Sequence, residues 1–334
     1  MNVYVGNPLQ TRGAEIYVLQ GGRGSGMPFL YVRNGLGLEF WISLDRCGDV
    51  SRLQLGGTNM GYFSPCGYVA PAYYDGRGNG FLKSFTAGFF TTCGLTAVGS
   101  PCTDEGEELP LHGTVSHIPA RLTALEEDES GLTVRLQMRD ATLFGRKLVM
   151  AREYRVSYTA NVLQVRDAVT NEGDAASPYM LLYHCNMGYP LLDETAVVRI
   201  PHDRMTPRNP HAAGQAAAAL RMEPPQGGYE ECCYYYDVTV QGGLAHAGIY
   251  NGRLGRGVVL AFDREQLPCF TEWKMMGRQD YVLGLEPGNC TPDGRDVLRR
   301  RGTLRFLQPG ETGETGVTFR FVTEEKSFEE AFGC

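Results

Sequence analysis

The sequence lacks the fingerprints of the common cofactor-dependent enzymes. No Gly-Lys dipeptide occurs, which excludes a P-loop, and neither H-E-x-x-H nor G-x-S-x-G is present. The glycine-rich run Gly21–Gly26 does not complete G-x-G-x-x-G, because Met27 occupies the last position. We interpret this run as a hairpin tip. These absences remove most nucleotide-dependent and serine-hydrolase functions, and we expect no cofactor.

Patterns typical of metal centres, disulfides and membrane segments are absent as well. The ten cysteines include no C-x-x-C pair, and the adjacent Cys232 and Cys233 cannot form an ordinary disulfide. No apolar run approaches the roughly 20 residues that a membrane helix needs. The first residues show no basic segment followed by an apolar one. We therefore expect a cytoplasmic protein with reduced thiols, no membrane contact and no metal site of known spacing.

The charge balance of the 334 residues is mildly acidic. Lys plus Arg is 31 and Asp plus Glu is 38, so the net charge is −7, and no basic stripe occurs. Such a chain is not typical of proteins that bind nucleic acid. With 43% apolar residues it can bury a large core. We expect residues 1–334 to form a single domain that binds a small molecule and could assemble as a homo-oligomer.

Short alternating apolar segments dominate the chain and predict an all-β fold. In Leu132–Arg139 the apolar residues fall at every second position, which is the period of a strand with one buried face. Further strands are predicted over Leu38–Leu44, Leu148–Tyr158, Asn161–Val169, Val197–Ile200, Gly257–Phe262, Cys269–Trp273, Tyr281–Leu285, Thr303–Leu307 and Gly316–Val322. Turn signals about every ten residues, supplied by 43 Gly and 18 Pro, are typical of a large sandwich or barrel.

Helical signals are rare. The segment Ser327–Phe332 predicts one short helix, in which Ser327 and Glu330 form a capping box and two phenylalanines lie one turn apart. The alanine-rich segment Ala212–Leu220 follows two prolines and fits either a helix or a loop excursion.

Three residues are the strongest candidates for chemistry. Glu286 closes an apolar strand before Pro287, and a carboxylate desolvated there would have a raised pKa and be a usable base. His184 closes an apolar run, and His112 is followed by Gly113, which permits close approach of backbone or ligand. The competing interpretations are a structural role for each histidine and a solvent-facing Glu286.

Other residues could bind a ligand nearby. Trp273 could stack on a sugar ring or pack in the core, and Lys274 could donate to hydroxyls. Arg46, in the turn Asp45–Asp49, could bind a hydroxyl or carboxylate, or pair with Asp45 at the surface. The aromatic, glycine-rich stretch Gly80–Gly94 could wall a pocket or form ordinary sheet edges.

The order of these motifs resembles the galactose mutarotase-like (aldose 1-epimerase) superfamily, in particular a branch of proposed epimerases. The resemblance implies a large antiparallel β-supersandwich with little helix. The motifs that carry it are Asp45-Arg46 with Gly48-Asp49, Pro71-Ala-Tyr-Tyr-Asp75, Gly88–Gly94, Asp104–Glu108 with Leu111-His112-Gly113, Tyr183-His184-Cys-Asn186, and Glu272-Trp-Lys274 with Leu283-Gly-Leu-Glu-Pro287.

The resemblance also implies an isomerase that interconverts the anomers of a sugar by acid–base ring opening without a cofactor. Carried over by position, Glu286 looks like the base and His184 like the acid, while His112 looks like the residue that binds and polarises the sugar. The residues expected to bind the substrate are Arg46, Lys83, Trp273, Lys274 and Asn186.

Departures from the superfamily pattern leave the substrate open. Cys185–Gly188 replaces the Tyr-Phe/Trp-Asn-Leu pattern that usually follows the second histidine, and Thr114 replaces the second of two glycines after the first. The usual Asn-Arg sugar-binding pair has no good counterpart, so an acidic, modified or keto sugar fits as well as galactose. A metal-dependent isomerase or lyase that uses the same three residues as ligands is one alternative. A non-catalytic carbohydrate-binding protein is another.

Overall fold

A five-stranded antiparallel sheet, β1 to β5, and several shorter strands form the first third of the chain. The computed structural model describes residues 3–333. The strands of this part are β1 (Gly13–Val18), β2 (Pro28–Arg33), β3 (Leu38–Ser43), β4 (Asp49–Leu55), β5 (Thr58–Asn59), β6 (Tyr62–Phe63), β7 (Ala87–Gly88), β8 (Phe90–Leu95), β9 (Cys102–Asp104) and β10 (Glu107–Leu109).

Two larger antiparallel sheets follow and pack against each other. Their strands are β11 (Arg121–Asp128), β12 (Gly131–Ala141), β13 (Lys147–Ser157), β14 (Val162–Asn171), β15 (Ser177–Gly188), β16 (Val197–Arg199), β17 (His202–Pro207), β18 (Cys232–Val238), β19 (Val240–Gln241), β20 (Leu244–Asn251), β21 (Arg256–Phe262), β22 (Cys269–Met276), β23 (Tyr281–Gly288), β24 (Arg305–Leu307) and β25 (Thr312–Val322). A nine-stranded sheet has the order β11-β12-β13-β14-β25-β21-β20-β16, with β19 beside β20. A seven-stranded sheet has the order β17-β18-β22-β23-β15-β24, with β8 also paired to β15.

Helices are few and short. The α-helices are α1 (Pro210–Gly214), α2 (Arg295–Arg301) and α3 (Glu325–Glu330). Single 3-10 turns lie at Pro8–Gln10, Gly22–Gly24, Pro71–Tyr73, Gly80–Lys83, Val115–His117 and Ala216–Ala218. Within residues 3–333, every helix is too short or too polar to span a lipid bilayer.

The predicted all-β class is confirmed, and each predicted strand is present with its ends shifted by a few residues, alongside strands that were not predicted. The alternating apolar residues Leu132, Val134, Leu136 and Met138 are all buried. The strand predicted over Tyr281–Leu285 continues to Gly288, so Glu286 lies inside β23 rather than at its end. His184 likewise lies within β15, because the backbone pairing with β23 continues through the polar residues that follow it.

Two local predictions need correction or completion. The terminal helix begins at Glu325 with Glu324 as its N-cap, so Ser327 is inside the helix and the predicted capping box is wrong. The alanine-rich segment is helical in two short pieces. Helix α1 starts after an Asn209 cap, and a 3-10 turn follows it. The glycine run forms the turn between the paired strands β1 and β2, as predicted.

A buried ion network fastens the three sheets together. The guanidinium of Arg152 on β13 donates to Asp49 Oδ1 at 2.7 Å and to both carboxylate oxygens of Asp167 at 2.8 and 2.7 Å. It also donates to Thr92 Oγ1 at 2.7 Å, and the Tyr183 hydroxyl donates to Asp167 at 2.6 Å. These residues belong to β4, β8, β13, β14 and β15. One side chain therefore couples the first sheet to both of the larger ones.

We predict that Arg152→Met strongly destabilises the protein. Met fills much of the same volume but leaves two buried carboxylates without their cation, which costs about 3–5 kcal/mol. The matched control is Arg135→Met, because Arg135 pairs with Glu126 and Glu153 on the exposed face of the same sheet. We expect the control to change the free energy of unfolding by no more than about 1 kcal/mol. Equal effects of both variants in urea unfolding would contradict this prediction.

Candidate active site

Alternation along two neighbouring strands, β15 and β23, separates core residues from cavity residues. On β15, Tyr183 and Cys185 face the main hydrophobic core, so His184 between them points to the opposite face of the seven-stranded sheet. On β23, Leu283 and Leu285 face the core, and Glu286 therefore points the same way as His184.

The strand register brings His184 and Glu286 side by side. Cys185 pairs with Leu285 in this antiparallel register, so His184, one residue before Cys185, lies beside Glu286, one residue after Leu285. The distance from His184 Nδ1 to Glu286 Oε1 is 3.1 Å. Gly284 leaves the necessary space, because a Cβ atom there would lie 2.3 Å from Glu286 Oε1.

Two connecting segments, one between β6 and β7 and one between β10 and β11, line a cavity over these strands. The first carries the aromatic rings of Phe81 and Phe85, the second carries His112, and Trp273 comes from β22. The cavity measures about 340 Å³. This is near the lower end of the roughly 300–1,000 Å³ of small-molecule sites, which suits a single sugar ring.

The hydrogen bonds of Asn186 identify the tautomer of His184. The Asn186 amide nitrogen donates to the backbone oxygen of His184 at 2.8 Å, so its amide oxygen is the atom that faces the imidazole. His184 Nδ1 lies 2.7 Å from that oxygen and must carry the hydrogen. Burial lowers the pKa of His184 to about 4, so the ring is neutral near neutral pH and Nε2 is unprotonated.

Glu286 is a buried carboxyl group without a compensating donor. Its side chain is 2% exposed, and Oε1 has no hydrogen-bond partner among residues 3–333. The nearby His184 Nδ1–H does not donate to Glu286, because that hydrogen is bonded to the Asn186 amide oxygen. Burial, with a smaller contribution from Glu231, raises the pKa of Glu286 well above its usual range, and Arg208 only partly opposes this.

His112 holds an unusual backbone conformation and the opposite tautomer. Its φ of 58° lies in the left-handed region, which is uncommon for residues other than glycine. Its Nδ1 accepts a hydrogen bond from the Gly99 amide at 3.4 Å, so the hydrogen of the neutral ring resides on Nε2. Desolvation, reinforced by His184, lowers the pKa of His112 well below its usual range. Gly113 is needed here, because a Cβ would lie 2.3 Å from Gly94 O.

Two charged residues of the cavity escaped the sequence analysis. Arg208 follows β17, and its guanidinium donates to Ser100 Oγ at 2.8 Å and to Pro292 O at 3.2 Å. Glu231 precedes β18 and accepts a 2.7 Å hydrogen bond from the Trp273 indole. Both residues lie outside the predicted strands and carry no local motif. The pairing of β17 with β18, and of β18 with β22, brings them to the cavity.

A cysteine also lines the cavity. Cys233 lies opposite Trp273 in the register of β18 and β22. Burial raises the pKa of its thiol to about 12, so it is not a thiolate near neutral pH. The nine cysteines described by the structure are free, as expected for reduced thiols.

Two of the predicted substrate-binding residues, Arg46 and Lys83, have partners outside the cavity lining. Arg46 is buried, and its guanidinium donates to Val69 O and Ser84 O and contacts His117 Nε2 at 2.9 Å. It therefore fastens the segment that carries His112 and makes no surface pair. Lys83 projects to solvent and pairs with Asp75 at 2.9 Å.

Of the other predicted binding residues, only Trp273 lines the cavity. Lys274 is its neighbour on β22 and must face the opposite side, where Nζ donates to Ala218 O and Arg221 O. Asn186 lies behind His184 and holds its ring. Among residues 3–333, no group of three or more His, Cys, Asp and Glu side chains is arranged to hold a metal ion.

We predict that Glu286→Gln stabilises the protein at alkaline pH. Because the pKa of Glu286 is higher in the folded state than in the unfolded state, wild-type stability falls as the pH rises from about 4.5 through the folded pKa. Gln does not ionise, so the stability of the variant does not fall in this way as the pH rises. The two proteins should be similar near pH 4 and differ by about 1–3 kcal/mol near pH 8, measured by urea unfolding.

The control for this prediction is Glu172→Gln. Glu172 is 44% exposed and pairs with Arg139 at the surface, so its substitution should leave the pH dependence unchanged. A Glu286→Gln variant that is less stable than wild type near pH 8 would show that Glu286 is ionised and paired with His184.

Comparison with solved structures confirms the galactose mutarotase-like fold. A proposed aldose 1-epimerase from Klebsiella pneumoniae superposes with a TM-score of 0.88 at 25% identity, over 95% of this chain and 85% of that chain. A galactose mutarotase-like protein from Clostridium acetobutylicum gives 0.67 at 13% identity, over 94% and 99%. A galactose 1-epimerase from Lactobacillus acidophilus gives 0.62 at 14% identity, over 94% and 100%.

Sequence comparison places the chain in a family without assigned activity. No curated protein matches it significantly. The family DUF4432, described as a domain of unknown function, matches residues 24–321. Since this match spans most of the chain, the protein belongs to the DUF4432 family and has the galactose mutarotase-like fold.

Proposed function

We propose that the protein is a sugar mutarotase, an isomerase that interconverts the anomers of a monosaccharide. The observation that carries this proposal is the contact between buried Glu286 and His184, 3.1 Å apart at the base of a cavity of about 340 Å³. The names given to the solved relatives agree with this class of reaction.

The reaction needs two proton transfers at one sugar carbon. One group removes the proton of the anomeric hydroxyl, and another protonates the ring oxygen. The bond between the anomeric carbon and the ring oxygen then breaks, the new carbonyl rotates, and the ring closes on the other face. Glu286 and His184 are close enough to act on the two oxygens, which share one carbon. Positioned acid and base groups typically supply about 10²–10⁴-fold in rate.

The remaining groups of the cavity suit a polyhydroxylated ligand. The neutral His112 offers an Nε2–H donor, Glu231 offers a carboxylate acceptor, and Arg208 offers a guanidinium. Trp273 and Phe81 both line the cavity, and the Trp273 indole can pack against the apolar face of a sugar ring. We propose that these residues replace Arg46, Lys83 and Lys274 as the substrate contacts.

The direct test is anomer exchange in a panel of aldoses, measured by NMR saturation transfer. We expect wild type to accelerate exchange of at least one sugar, and both Glu286→Gln and His184→Gln to lose about 10²–10⁴-fold. Glu172→Gln should retain full activity. If no sugar exchanges faster with the wild type, the mutarotase proposal fails. Sugar binding that persists without turnover would then identify a carbohydrate-binding protein.

Arg208→Met should weaken substrate binding more than chemistry. A charge-assisted hydrogen bond contributes about 1.5–3 kcal/mol, so KM should rise at least about tenfold while kcat changes little. Arg204→Met is the matched control, because Arg204 is 74% exposed and pairs with Asp237 away from the cavity lining. An unchanged KM for Arg208→Met would remove Arg208 from the substrate contacts.

A further inference from the structure

The two histidines of the cavity are held by neutral partners in opposite tautomers. Asn186 accepts the hydrogen of His184 Nδ1 at 2.7 Å, which leaves the lone pair on Nε2. The Gly99 amide donates to His112 Nδ1, which leaves the hydrogen on Nε2. The cavity therefore presents one imidazole as a proton acceptor and the other as a donor, with ring centroids 5.4 Å apart.

This arrangement conflicts with the roles that the family resemblance implies. A histidine that serves as the acid must carry a hydrogen on the nitrogen that faces the substrate. His184 does so only as an imidazolium, and the side chain at its Nδ1 is the neutral amide of Asn186 rather than a carboxylate. Glu286 Oε1 lies 3.1 Å from Nδ1, but the Nδ1–H is bonded to Asn186, and Oε1 has no hydrogen-bond donor among the described residues. The geometry thus stabilises neither the imidazolium nor the carboxylate.

We propose that Asn186 is a positioning residue that holds His184 as the proton acceptor, so that Glu286 enters the reaction as the proton donor. This inference rests on the proposed mutarotase function and assigns the direction of its proton transfers. It reverses the roles of base and acid implied by the superfamily resemblance.

The step balances without any further reactant. His184 Nε2 takes the proton of the anomeric hydroxyl, and the Glu286 carboxyl gives its proton to the ring oxygen as the bond to the anomeric carbon breaks. The open sugar then faces an imidazolium and a carboxylate. On closure, Glu286 recovers the proton of the ring hydroxyl, and His184 returns its proton to the carbonyl oxygen. The pair ends in its starting state.

The charged and titratable groups around the pair are consistent with a neutral resting state. His112 faces the cavity from the segment between β10 and β11, Arg208 and Glu231 also line the cavity, and Cys233 lies on β18. Glu231 and Arg208 have opposing effects on the pKa of Glu286. Burial raises the pKa of Glu286 and lowers that of His184, and both shifts favour the same protonation state.

The protonation of the resting enzyme can be read directly in the wild-type protein. Nitrogen-15 NMR of the imidazoles at neutral pH should show His184 protonated at Nδ1 alone and His112 protonated at Nε2 alone, assigned with His184→Gln and His112→Gln. The infrared difference between wild type and Glu286→Gln should contain the carbonyl band of a protonated carboxylic acid. An imidazolium at His184 together with an ionised Glu286 would overturn the inference.

Substitution of Asn186 separates positioning from simple structural support. Asn186→Asp places a carboxylate at Nδ1–H and should raise the pKa of His184. If His184 is the acceptor, the acid limb of kcat/KM against pH moves up by about two pH units, and activity near pH 5 falls about tenfold relative to that near pH 8. If His184 is the donor, the alkaline limb moves instead and the inference is wrong.

The matched control is Asn289→Asp. Asn289 is also buried, and its side chain accepts a hydrogen bond from the Leu181 amide of the same strand, β15. Its side chain hydrogen-bonds to the backbone of Leu181 and Tyr179 and to no imidazole within residues 3–333, so its substitution should move neither limb. If the mutarotase proposal itself fails, the wild-type protein will accelerate anomer exchange in none of the sugars. The NMR and infrared measurements then decide the protonation state without an activity.

Discussion

The structure depends on one buried guanidinium shared by two carboxylates. The Arg152 side chain is fully buried between Asp49 and Asp167, and the hydroxyls of Thr92 and Tyr183 complete the network. Two carboxylates outnumber one cation, and burial raises the pKa of Asp49. Such a network is weak evidence for extra stability, because desolvation offsets the Coulomb attraction. Its hydrogen bonds nevertheless tie the sheets together, since its members lie on strands of all three sheets.

Strand β15 transmits this constraint to the cavity. Tyr183 is tied to Asp167 on the core side, and His184, the next residue, points into the cavity. Because successive residues of a strand alternate between faces, an anchored Tyr183 also fixes the direction of His184. Side chains alternate between the two faces in the same way on β22. Lys274 is held by backbone oxygens on the core side, while Trp273 faces the cavity. The rigid sheet, rather than a loop, thus carries Glu286 and His184.

The sequence predicts the strands well because their period of two is local, as in Leu132–Arg139. The grouping of His112, His184 and Glu286 depended on a family resemblance, since no short motif joins residues so far apart. The separation of Trp273 from Lys274 could have been predicted from strand alternation alone. Arg208 could not, because its place follows from a long-range strand pairing and a loop. The buried position of Arg46 outside the cavity lining could not be predicted either, because a structural arginine and a ligand-binding one look alike before the fold is known.

The cavity differs from the ion network in how its polar groups are held. Arg152 meets charged partners, whereas His184 meets the amide of Asn186 and His112 meets the backbone amide of Gly99. A charged partner would stabilise one protonation state by the equivalent of several pKa units in a buried site. Neutral partners fix the orientation of a ring and its tautomer without fixing its charge. Reversible ring opening requires Glu286 and His184 to exchange protons with the sugar in both directions. Neutral partners suit this requirement, because they orient the groups without making either protonated group too stable to give up its proton.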